Sequence, residues 1–300
     1  MKQFIILCLG AVMALSSCDV NQGRAGNHYS KAERQLVKHV EKEAQKYGKE
    51  LVERVGSKAR QRSAKQEYVS KYDESELLMV KDQRERESTI LYRKGYTTSY
   101  NRDTRIPNWV GWVLTADHTS GKNKRNNIQF HEDYDVESPR ATHYDYMRSG
   151  FDRGHMCPAG DNKWDAKAIE QTFLMTNICP QDGGLNRGDW NDLEIKCRNW
   201  AREFGKVYII CGPILYNQKH KTIGKDKVTV PEAFFKVVLC LEGNPKGIGF
   251  IYKNQSGKKD LRNYTNSIDD VERITGFDFF SNLPDDIETQ VESTYDLGEW

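Results

Sequence analysis

A short window of the chain holds Phe151-Asp152-Arg153-Gly154-His155, then Thr176-Asn177-Ile178-Cys179-Pro180-Gln181, then Leu185-Asn186-Arg187-Gly188-Asp189-Trp190 running on to Glu194. These residue types are the inventory for metal-assisted cleavage of a phosphodiester. His155 offers a base for water, Asn186 a neutral oxygen for a divalent ion, and Arg153 a cation for phosphate charge. As an extended segment, Asp152 to His155 alternates, with Arg153 and His155 on one face and Asp152 and Gly154 on the other. A guanidinium beside an imidazole is unfavourable unless an anion lies between them, and it disfavours protonation of His155 near neutral pH. A lone histidine near a salt bridge is an ordinary surface feature; the neighbours single this one out.

These side chains need elements to hold them. Trp190, Leu193, Cys197, Trp200, Ala201 and Phe204 recur every three or four residues, which predicts a helix over Asp189 to Phe204 with a core-facing stripe. Asp189 is placed to cap it. Glu194 lies four residues after Trp190 and three before Cys197, on the buried side, where a carboxylate needs a partner or a role. Asn186, in the loop ahead, is by itself a turn residue in a Gly-Gly-Leu-Asn-Arg-Gly stretch. Magnesium keeps several waters and takes few protein ligands, so one asparagine suffices, with Glu194 holding the ion's waters.

Thr89 to Tyr100, Trp109 to Thr115, Val207 to Cys211, Ala233 to Leu241 and Gly247 to Tyr252 read as strands. Asp165 to Met175 and Ser267 to Thr275 read as further helices, the second with Gly276 as C-cap. Ala116 to Ser138 is a polar loop of a length that usually carries function. Strands and helices mix without regular alternation, which gives an α+β class with a mixed, mostly antiparallel sheet.

Asp-Arg-Gly-His, then Asn-x-x-Pro-Gln, then Asn-x-x-x-Trp-x-x-x-Glu resembles the DNA/RNA non-specific endonuclease family, the ββα-metal nucleases that include secreted sugar-non-specific nucleases and endonuclease G. The similarity extends over roughly Ile90 to Asp286, through Asn108-Trp109-Val110, Thr229-Val230-Pro231, Ala233-Phe234-Phe235-Lys236-Val237 and Glu272-Arg273-Ile274-Thr275-Gly276. The resemblance implies a ββα-metal active-site motif, with His155 as general base and Asn186 as the single direct ligand of a water-rich Mg²⁺ (Mn²⁺ or another divalent ion also fitting). Glu194 would bind through the ion's waters and Asn177 would support the site by hydrogen bonding. Arg153 and Arg125 would stabilise phosphate charge, Arg125 through the match of Ser120-Gly121-Lys122-Asn123-Lys124-Arg125 to a basic loop. The products would carry 5′-phosphates. Some members have another asparagine where this chain has Phe173.

With a formal net charge of +2, no global field advertises a polyanion partner. Any DNA or RNA groove must be local, from residues such as Lys122, Lys124, Arg125, Arg140, Arg148, Arg153 and Arg187, and contacts to phosphate would carry no base information. Residues 1–17 read as a signal peptide, with Lys2 before an apolar run that is too short to span a bilayer. Leu15-Ser16-Ser17-Cys18 resembles a lipobox, which would place a lipid anchor on Cys18 and the protein in a bacterial cell envelope, on its periplasmic or extracellular face. An ordinary secretory signal is the alternative. Residues 18–75 read as a tether and a charged amphipathic helix over Ser30 to Arg62 (a stalk, a docked helix or a dimer seam), and 76–300 as the nuclease domain. Cys157, Cys179, Cys197, Cys211 and Cys240 remain, an odd number without a close Cys-x-x-Cys pair, read mainly as small buried residues. Two other functions fit the same residues: an anchored nucleic-acid-binding protein without cleavage, and a cysteine hydrolase built on His155 and Cys157.

Overall fold

The computed structural model describes residues 73–257 and 259–300. The signal, Cys18, the Ser30–Arg62 helix and the dimer seam it offers therefore lie outside the described residues. In chain order the strands are β1 (Lys81–Asp82), β2 (Thr89–Tyr92), β3 (Thr97–Asn101), β4 (Ile106–Thr115), β5 (Asp152–His155), β6 (Ile178–Gln181), β7 (Lys206–Ile214), β8 (Thr222–Ile223), β9 (Val228–Thr229), β10 (Ala233–Cys240), β11 (Lys246–Lys253), β12 (Thr265–Asn266) and β13 (Phe277–Asp278). Seven of them form one sheet in the order β12-β11-β10-β7-β4-β3-β2. Each neighbouring pair in it is antiparallel. The mostly antiparallel α+β class is thus observed.

The central strands β4, β7 and β10 are buried along almost their whole length because both faces of the sheet are covered. On β10, Phe234, Val238 and Cys240 join the core under the long helix Asp189–Phe204, while Phe235, Val237 and Leu239 join a second core on the other face. The second core is closed by the helices Ile268–Thr275 and Asp285–Ser293 through Ile268, Val271, Ile287 and Val291. Each such fully buried side chain contributes about 1.5–3 kcal/mol relative to exposure.

Asp189–Phe204 runs as the spacing predicts, and its stripe Trp190, Leu193, Cys197, Trp200 and Ala201 is buried. Its beginning differs. Asp189 is not the N-cap; that position is Gly188, and the Asp189 carboxylate accepts from the Tyr264 hydroxyl. The side-chain cap lies upstream, where Asp182 accepts from the backbone N–H of Gly184 and Leu185 and starts a short helix, Gly183–Arg187. That helix passes into the long one through Gly188. The predicted strand Thr89–Tyr100 is two strands, because the chain turns between β2 and β3. The predicted helix Asp165–Met175 is shorter, Ala166–Gln171 with Asp165 as its N-cap.

β5 and β6 form a separate antiparallel pair, with His155 opposite Ile178 and Gly154 opposite Cys179. Glycine fits 154 because a Cβ there would lie 2.6 Å from Gln181 Cβ, at the root of that side chain. This pair and the helix that follows make the ββα unit.

Candidate active site

β5 presents Arg153 and His155, and both line a cleft of about 710 Å³ with Arg125, Phe130, Asp152, Asn186 and Glu194. Residues from three separate stretches of sequence meet there. Arg125 and Phe130 come from the long polar loop, Asn186 from the Gly183–Arg187 helix, and Glu194 from the second turn of the long helix.

His155 exposes 9 % of its surface, and its Nε2 is buried without a hydrogen-bond partner. The rings of Phe130 and Phe173 pack against it at centroid distances of 5.2 and 5.0 Å. Burial, and then the positive charge of Arg125, hold its pKa down at about 3. The sequence assigned that electrostatic effect to Arg153. The structure corrects this, for the Arg153 guanidinium donates to the His143 carbonyl at 2.8 Å and lies over Phe130 and Tyr146. The side chain of Phe173 brings no polar contact; it is the apolar wall of the imidazole and lies under Arg125.

The carboxylate of Asp152 accepts from Asn186 Nδ2 at 3.1 Å and from Arg187 Nη1 at 2.8 Å. A carboxylate only accepts, so it takes the amide nitrogen and leaves Asn186 Oδ1 for another partner. Glu194, with 13 % side-chain exposure, sits 4.0 Å from Arg198. Burial pushes its carboxyl up to about 7, against the pull of Lys236 and with the like charge of Asp161 adding to it.

Behind Glu194 is a buried charge cluster that sequence reasoning missed. Lys236 is fully buried, its Nζ has no hydrogen-bond partner, and it lies 4.3 Å from the Trp190 ring and 5.3 Å from that of Trp112. Cation–π attraction takes the place of water there. Asp161 accepts from Arg198 at 2.8 Å and from Trp112 Nε1 at 3.1 Å. Arg198 and Lys163 also line the cleft, unlike Arg140, which pairs with Glu132, and unlike Lys122, Lys124 and Arg148. Of the basic residues named from the sequence, Arg125, Arg153 and Arg187 reach it. Arg198 was legible in principle, one helical turn after Glu194 on the same face.

Asn177 does not line the cleft. It is a clamp beneath it: its Oδ1 accepts from Cys157 N–H at 2.9 Å, and its Nδ2 donates to the carbonyls of Cys157 and Thr172. The segment leaving His155 is thereby fixed. Cys157 is fully buried, and burial raises its thiol well above the ordinary range. That removes the cysteine-hydrolase reading, which needs an accessible thiolate. The five cysteines described are all buried.

The sequence profile of the DNA/RNA non-specific endonuclease family matches residues 73–286. Nuclease C1 of Cunninghamella echinulata var. echinulata is 40 % identical over 210 residues, covering 65 % of this chain and 83 % of that protein. A nuclease of Nostoc sp. is 32 % identical over 221 residues, covering 69 % and 78 %. Mitochondrial endonuclease G of Bos taurus is 33 % identical over 205 residues, covering 64 % and 69 %. Among solved structures, a chain of the EndoG/EndoGI complex superposes with a TM-score of 0.64 at 29 % identity, covering 68 % of this chain and 91 % of that one.

Proposed function

Because the chain belongs to the DNA/RNA non-specific endonuclease family, and is a phosphodiester hydrolase acting on nucleic acid, we propose that it cuts with His155 as general base beside a divalent cation, Mg²⁺ in the first place, held at Asn186. One observation carries this reading: a single cleft gathers His155, Asn186, Glu194, Arg125 and Arg153.

The donor set fits a hydrated cation. Asn186 Oδ1 would be the direct ligand and Glu194 would hold its waters, and a carboxyl poised at about 7 is readily ionised by a neighbouring positive charge. When bound, the ion supplies charge neutralisation at the phosphate and at the departing 3′ oxygen.

His155 enters the reaction neutral. The phosphate that docks between Arg153 and Arg125 adds negative charge beside the imidazole and raises its basicity when a proton must be accepted. His155 then takes a proton from water. The water oxygen forms a bond to phosphorus, the bond from phosphorus to the 3′ oxygen breaks, the departing oxygen takes a proton from solvent water, and the products carry a 5′-phosphate and a 3′-hydroxyl, His155 returning its proton to solvent. Asn177 and Trp190, whose Nε1 donates to the His155 carbonyl at 3.4 Å, hold the base in place. Backbone-directed cations read phosphate and not bases, which suits cleavage without sequence preference.

The test is the purified chain lacking residues 1–18, given supercoiled plasmid and RNA with Mg²⁺ and with chelator. Cleavage should require the ion, and His155→Ala should lose about 10²–10⁴-fold in rate while its circular dichroism is unchanged. Near-normal cleavage by that variant would remove His155 from its role. Binding without cleavage has no observation in its favour. The apolar start ending in Leu15-Ser16-Ser17-Cys18 supports export and anchoring to the cell envelope; fatty-acid labelling lost in Cys18→Ala is the corresponding check. Among the described residues, no helix is long and apolar enough to cross a membrane.

A further inference from the structure

Asp269 and Glu272 lie three residues apart on one side of the helix Ile268–Thr275, and Glu292 reaches them from the last turn of the helix Asp285–Ser293. One carboxylate oxygen from each lies within 4.8 Å of the others. Glu292 exposes only 6 % of its surface, and its Oε1 is buried with no hydrogen-bond partner. A buried carboxylate without a donor is one of the least favourable groups a fold can hold. The nearby cations are engaged elsewhere: Arg273 pairs with Asp270, Lys81 faces Asp278, and Arg84 donates to the Ile274 carbonyl. Glu272 accepts from the Phe279 N–H at 2.7 Å through Oε1, which leaves its other oxygen. Burial, with Glu272, Glu288, Asp269 and Asp278 around it, pushes Glu292 up to about 9. A cavity bounded by Asp269, Glu272 and Arg84 opens beside the cluster and offers an entry path.

We propose that Asp269, Glu272 and Glu292 form a divalent-cation site of the calcium type, separate from the cleft, that ties the helix Asp285–Ser293 to the helix Ile268–Thr275 on the opposite face of the central sheet. Calcium suits it better than magnesium, because Ca²⁺ accepts six to eight oxygens in flexible geometry whereas Mg²⁺ demands a near-ideal octahedron and gives up its waters reluctantly. The ion's role is structural. It neutralises the carboxylates and closes the second core.

The test is calcium titration by calorimetry, with thermal unfolding, on the full chain and on two variants. Asn186→Ala removes the proposed ligand of the cleft and should still bind Ca²⁺, with Tm raised by about 5 °C at roughly a hundredfold excess over Kd. Glu292→Gln should weaken Ca²⁺ at that site by about tenfold or more and abolish the rise. Should that variant fail to fold, Asp269→Asn, at the exposed member of the cluster, gives the same readout. The proposal is overturned if Asn186→Ala neither binds Ca²⁺ nor gains Tm, or if both cluster variants keep the affinity of the unaltered chain.

Discussion

Glu194 and Glu292 are two glutamates withdrawn from water on helices that cover opposite faces of one sheet, and their surroundings differ in sign. Lys236, Arg198 and Arg125 offset the burial of Glu194, so its carboxyl rests at about 7. Burial first, and then the repulsion of Glu272, Glu288, Asp269 and Asp278, carry Glu292 to about 9. The fold can bury an acid by two routes, then. On the cleft side it supplies its own cations, and the acid stays close to ionisation. On the other side the neighbouring cations are paired elsewhere, and the charge must be met by a proton or by an ion from solution.

The largest expected effect tests the first route. Lys236→Met keeps the volume and removes the cation, leaving Asp161 and Glu194 undercompensated. A loss of about 3 kcal/mol is expected in urea unfolding, and unchanged stability would mean that Arg198 alone balances the cluster. Glu194→Gln should lower cleavage about 10–100-fold and raise the Mg²⁺ concentration required, without loss of metal-free stability. A variant that loses stability but not activity would make the two glutamates alike and end the contrast.

Glu292→Gln should gain about 1 kcal/mol in metal-free stability at pH 8, read by denaturation. The sign follows from proton linkage. The unfolded chain ionises Glu292 near its ordinary value of about 4.3, whereas the folded chain keeps the proton until about 9, so stability falls as pH rises between those values and the variant should flatten that fall. His155 tilts the profile the other way. Unfolded it takes a proton near 6.5 and folded only near 3, so its share of stability is lost as pH falls through that window.

The smallest effect concerns Phe173. Replacing it with asparagine wets the imidazole, and the acidic limb of kcat/KM should move upward by less than about one pH unit. In the parent, the limb in kcat should lie above that in kcat/KM, since bound phosphate favours the imidazolium. Coincident limbs would separate His155 from the phosphate.

The cleft side of this contrast was legible in the residues. The Trp190–Cys197–Trp200 spacing fixed the helix and put Glu194 on its buried side, and alternation in Asp152–His155 put Arg153 and His155 together. What stayed hidden depends on contacts distant in sequence. Nothing in Phe234-Phe235-Lys236-Val237 says that the lysine has aromatic rings above it, since those rings come from β4 and from the long helix. The Gly183–Arg187 helix opens with two glycines, which disfavour helix, and is held by Asp182 at its start and Asp152 at its side. The helix Asp285–Ser293 follows Pro284 with Asp285, Asp286 and Glu288 in its first turn, a local start signal carried by the residues themselves. The resemblance gave Asn177 a supporting role through hydrogen bonds, and its amide bonds the backbone of Cys157 and Thr172 beneath the cleft, partners that no local spacing identifies.

The bond from Asn186 to Asp152 has a consequence for fidelity of ligation. An amide's two ends have nearly the same shape, and a rotation about one torsion exchanges oxygen for nitrogen. An acceptor-only neighbour breaks that degeneracy, so the end turned outward is always the Lewis base. With asparagine in place of Asp152 the neighbour would welcome either end, and part of the population would offer a metal ion an N–H.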